Sequence, residues 1–187
     1  MRRLFVVMVL LLVASALVAL AAAPGPEAPQ PPMAAEWTAT GELQRPTNYR
    51  QWIFIGAPVT PNDMNDGHAA FPEFHDVYID RTAFAAYMKT GEFPKGTVIV
   101  KELVSVGGKH AASGNGYFPG KFNGLAAAVK DTAKFGGTRY GWGYFDFGAA
   151  KKTAAVGPAQ SCNACHKASA AKDMVFTQYY PVLGPGK

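Results

Sequence analysis

The stretch TVIVKELVSV, Thr97 to Val106, decides the fold class. Five of its ten residues are valine or isoleucine. Branching at Cβ costs side-chain freedom in a helix and suits a pleated surface, so the run reads as a β-strand. Strand alternation sets Ile99, Lys101 and Leu103 on one face and Val98, Val100 and Val104 on the other. Both faces carry apolar residues, so alternation by itself does not say where Lys101 points. Working outward, Trp52–Ile55 is a short apolar, strand-favouring run. His75–Ile79 alternates, with His75, Val77 and Ile79 on one face and Asp76 and Tyr78 on the other. Gly116–Phe122 and Tyr140–Phe147 are aromatic and spaced by glycine, which resists helix. Helix is expected from about Asp80 or Thr82 to Lys89, closed by Gly91, and again around Cys162. Leu125–Lys130 fits either helix or strand. The pattern predicts an α+β, mainly β fold: an antiparallel sheet with a few packed helices, one of them near the C-terminus.

The ends are different in kind. Met1-Arg2-Arg3 precedes an apolar run from Leu4 to Leu20 and a small-residue close at Ala21-Ala22-Ala23. A positive start, an apolar stretch and small residues make a secretory signal, expected over residues 1–23. The competing reading is an uncleaved anchor, because the run approaches the roughly 20 residues that span a bilayer. Residues 24–35 hold five prolines and read as a semi-rigid linker. Residues 36–187 then form a single domain, long enough to build a core without disulfides. Loss of Arg2 and Arg3 takes the net charge from +5 to +3. The remaining basic residues are scattered, which argues against nucleic acid and suits an acidic redox partner.

The chain has two cysteines, Cys162 and Cys165, and His166 follows directly. This C-x-x-C-H spacing places two thiols on one helical turn, where each can add to a haem vinyl group. The histidine then lies under the iron as axial ligand. Ser161 is the expected N-cap of that helix. Structural zinc needs four ligands, and no second cysteine pair exists to supply them. The motif lies close to the C-terminus, and Met174 is the sole methionine after it. Met64 and Met88 remain as candidate sixth ligands, although methionine in a core is more often packing. The expected iron is five-coordinate, with an open distal side.

Three further positions could carry chemistry. Lys101, facing an apolar layer, would be a neutral nucleophilic amine, and at a sheet edge it would merely extend its charge to water beside Glu102. His75 is either a distal proton shuttle or a satisfied core residue. Phe71, Phe74, Phe118 and Phe122 either wall a small-ligand pocket or are ordinary core.

With CNACH, VIVKELVSVG, SGNGYF, NYRQWIFIGAPVTPNDMNDG and VFTQYYPVL in view, the sequence resembles the cytochrome P-460 family, from about Asn48 to Leu183. The resemblance implies a β-rich periplasmic homodimer with one haem c, an open distal site and hydroxylamine oxidation, passing electrons to a soluble cytochrome acceptor. It also implies a lysine bonded to the porphyrin rim. Lys101 in VIVKELV matches that lysine, so a Lys101 cross-link is expected. Where the family carries a distal arginine, this chain has His75 in FHDVYID, which becomes the expected catalytic base with a pKa near the working pH. Where some active members carry a carboxylate, this chain has Ala126, which implies weaker activity. Related cytochromes c′-beta lack the cross-link and bind nitric oxide, which makes nitric oxide binding without turnover the alternative. A simple electron carrier is the third reading.

Overall fold

The computed structural model describes residues 35–184. The expected signal and nearly all of the linker therefore lie outside the described residues. The described chain is mainly β, with two antiparallel sheets and two α-helices. The larger sheet has five strands in the order β2 (Ile53–Gly56), β3 (Phe74–Ile79), β4 (Val98–Ala111), β5 (Gly114–Lys130) and β6 (Trp142–Gly148). The smaller pairs β1 (Leu43–Gln44) with β7 (Thr153–Ala154). Helix α1 spans Arg81–Thr90 and α2 spans Ala164–Ser169.

The β4 stretch is central because both of its faces are covered. On one side Ile99 joins Val77, Ile79, Trp142 and Tyr144 in a core closed by α1 and by Met174, Val175, Tyr180 and Leu183. On the other, Val98 and Val100 join Leu125, Ala127, Val129, Phe145 and Phe147 beneath Leu43, Tyr49 and Trp52. A strand buried on both faces has apolar residues at successive positions, which is why its pattern did not alternate cleanly. Register sets the faces. Val77 pairs with Lys101, and Lys101 pairs with Ala126. A slip by one residue would bring Asp76 and Tyr78 into the layer held by Val77 and Ile79. Each large apolar side chain withdrawn from it would lose about 1.5–3 kcal/mol.

Helix α1 follows its sequence signals. Buried Asp80 is the N-cap, its Oδ1 accepting from the Ala83 N–H at 2.8 Å. Its Oδ2 accepts from the Val98 N–H at 2.8 Å, tying the helix start to β4. Gly91 closes the helix at φ 74°, a conformation that suits glycine. The ambiguous Leu125–Lys130 is the second half of β5, because it pairs with β4 on one side and β6 on the other. In the outer part of the β4–β5 hairpin the ladder bulges repeatedly. There Gly107 and Gly120 approach so closely that a Cβ on Gly107 would lie 2.7 Å from the Gly120 Cα.

Candidate functional site

Cys162–His166 is presented by an unusual turn. Ala159–Asn163 is π-helical and runs directly into α2. Ser161 is not the cap, which corrects the expectation. Its Oγ donates to the Pro158 carbonyl, and the residue at the start of α2 is Asn163. Asn163 is fully buried, with Nδ2 donating to the Arg139 carbonyl at 2.8 Å and the Trp142 carbonyl at 2.9 Å. A residue between the two cysteines thus fastens the motif to the start of β6. Its sequence position carries no signal for that role, because both acceptors lie more than twenty residues away.

His166 Nδ1 meets the Met174 carbonyl at 2.6 Å. A carbonyl only accepts, so Nδ1 carries the proton and Nε2 is the nitrogen left for a metal. The imidazole lies between the rings of Tyr144, 4.2 Å away, and Phe176, 4.6 Å away. Burial holds its pKa below the ordinary histidine value. The Met174 carbonyl also accepts from the Tyr144 hydroxyl at 3.1 Å. Its direction is set by a strained corner, since Asp173 and Met174 both have positive φ, 45° and 63°. Asp173 is held there by Lys130 Nζ at 2.5 Å and by Trp142 Nε1 at 3.3 Å. Met174 therefore acts through its backbone on the His166 side. Met64 and Met88 are 71% and 47% exposed, so neither is core.

Lys101 lies on the same sheet face as Ile99 and Val77, resolving the ambiguity in its strand. Its ammonium has no hydrogen bond or carboxylate within ion-pair distance among the described residues, and Nζ lies 4.1 Å from the Phe71 ring centroid. Desolvation lowers its pKa, so the charged form is disfavoured. His75 occupies the same face, edge-on to Phe71 at 5.8 Å. Its Nε2 is buried without a partner. Burial, and then the Lys101 charge, lower its pKa to about 4. That overturns the expectation of a pKa near the working pH: the ring is neutral there. Of the four phenylalanines, Phe71 alone is in ring contact with Lys101 and His75. Phe122 instead lies under Arg45, and none of the four is fully buried.

The donor set fits a haem. Cys162 and Cys165 are free, His166 has one ring nitrogen anchored and one available, and an unpaired lysine is on the neighbouring sheet face. Among the described residues no group of three or more His, Cys, Asp and Glu side chains could hold a metal ion on its own. These features define a haem-binding cytochrome as the class. The family model Cytochrome P460 matches residues 46–177, and the chain belongs to that family. The family consists of haem cytochromes, some of which oxidise hydroxylamine. No curated protein matches the chain significantly.

Proposed function

We propose that this protein is an exported, periplasmic mono-haem cytochrome that oxidises hydroxylamine and passes the electrons to a soluble cytochrome acceptor. Cys162 and Cys165 would hold the haem by thioethers, His166 would ligate the iron and Lys101 would bond to the porphyrin rim. A haem held there supplies a redox-active iron with a coordination position for a small nitrogen ligand. The observation that carries the reading is Lys101: a desolvated amine with no ion-pair partner among the described residues, on the sheet face that His166 packs against. Desolvation shifts Lys101 toward the nucleophilic free amine, and the register with Val77 and Ala126 holds it in one place. His75, neutral and with Nε2 unpartnered, is available to hydrogen-bond a ligand of the iron. The exposure of Met64 and Met88 disfavours a plain electron carrier with methionine as sixth ligand. A homodimer is part of the proposal.

Nitric oxide binding without turnover is the second reading. Ala126, opposite Lys101, favours it, because no carboxylate stands at that point to take protons from a substrate. Mass spectrometry of tryptic haem peptides, paired with a hydroxylamine consumption assay, tests both. With the cross-link, Gly96–Lys109 stays uncut after Lys101 and is joined through haem to Thr153–Lys167. Normal cleavage after Lys101 with no hydroxylamine consumption would overturn the leading reading in favour of nitric oxide binding.

A further inference from the structure

Oxidising hydroxylamine requires a proton to leave with each electron, so the site needs a base and the base needs a way to water. His75 meets only half of that requirement, since its Nε2 is buried and has no hydrogen-bond partner. Ala126 supplies nothing. Glu73 stands two residues before His75, at the entry to β3. Its two oxygens differ. Oε1 accepts from Asn123 Nδ2 at 3.2 Å, whereas Oε2 is buried without any partner. A carboxylate oxygen in that position is costly unless something else engages it. Glu73 is the acidic group whose charge most favours the protonated form of Lys101, and it acts in the same sense on His75, two residues further along the chain. It also lines a cleft of about 380 Å³ formed with Pro61, Asn62, Asp63, Ser105 and Lys109. Asp63 and Lys109 in that cleft are exposed to solvent and paired to each other at 2.5 Å.

We propose that Glu73 is the proton acceptor of this site, standing in for the carboxylate missing at Ala126, and that it releases protons to water in the Asp63–Lys109 cleft. This rests on the hydroxylamine reading above. For every electron that passes to the soluble one-electron acceptor, one N–H or O–H bond of the substrate breaks. Its proton goes to Oε2, and Glu73 returns to the carboxylate by losing that proton to the cleft. Asn123 holds Oε1, so the rotation of the carboxylate is restrained and Oε2 stays buried.

The test uses the ferric holoprotein and two probe ligands. Cyanide arrives as its neutral acid at neutral pH and must shed a proton to bind, whereas azide arrives as the anion. Glu73→Gln keeps the shape and the Asn123 neighbour but removes the base. Stopped-flow association of cyanide should slow roughly tenfold or more, the lower end of what a positioned base contributes, while azide stays within about twofold. Equal behaviour of the two probes, whether both unchanged or both slowed, overturns the proposal. Hydroxylamine consumption by the unsubstituted protein is read in parallel. Selective slowing of cyanide in a protein that consumes no hydroxylamine keeps Glu73 as a base and removes the hydroxylamine reading. Turnover with no selective effect keeps that reading and removes Glu73.

Discussion

Lowering the pH from about 7.5 to about 4.5 should destabilise this protein through His75, and His75→Leu should abolish that part of the response. In the unfolded chain the imidazole takes a proton near its ordinary value of 6.5, while in the folded protein it does so only at about 4. Between those values the unfolded state binds more protons, so stability falls with falling pH. The contribution is fully present above about 6.5 and is lost as the pH approaches about 4. The full gap is worth about 3.5 kcal/mol at roughly 1.4 kcal/mol per pH unit. By about pH 4.5 some 2–2.5 kcal/mol of it should be gone, allowing for the partial exposure of the ring. Burial is the first cause of the depression and the Lys101 charge the second, so a Lys101 bonded to haem would narrow the window without closing it. Asp76 and Asp80 act in the opposite sense, because burial raises their pKa values and protonation then favours the folded state. Both are present in protein and variant alike and cancel in the difference. The assay is urea unfolding of the holoprotein and of His75→Leu, followed by circular dichroism across this pH range. The two stability curves should converge toward the variant's favour as the pH falls. Parallel curves, separated by a constant amount to within about 0.5 kcal/mol, would refute the argument that His75 is buried neutral.

Two other substitutions probe the frame around the site. Tyr144→Phe leaves the Met174 carbonyl to His166 alone. It should cost about 1 kcal/mol of stability and raise the iron–histidine stretching frequency seen by resonance Raman of the ferrous protein. An unchanged frequency would show that Tyr144 does not share that acceptor. Asp80→Ala removes the acceptors of two buried N–H groups, at Ala83 and Val98. A loss of about 3 kcal/mol is expected, which is a fall in Tm of roughly 6–12 °C by calorimetry. A fall of less than about 2 °C would mean that α1 and β4 are not tied through this side chain.

Much of this protein is determined by short-range signals that the sequence carries openly. The β-branched run of β4 and the alternation of β3 decide the strands, and Asp80 and Gly91 mark the ends of α1, because these preferences act within a few residues. Cys162, Cys165 and His166 declare a haem motif by spacing alone. The tertiary structure decided what depends on partners distant in the chain. Lys101 points to the face of His75 only because β4 is in register with β3 and β5, and a strand apolar on both sides does not reveal its own orientation. Leu125–Lys130 became strand by gaining neighbours on two sides. The anchor of the motif is Asn163, through carbonyls at Arg139 and Trp142, and the acceptor for His166 is aimed by Asp173 through Lys130 and Trp142. The depressed pKa of His75 has the same origin. Burial is a property of the packed layers, and no composition or spacing along the chain encodes how much water a given side chain will lose.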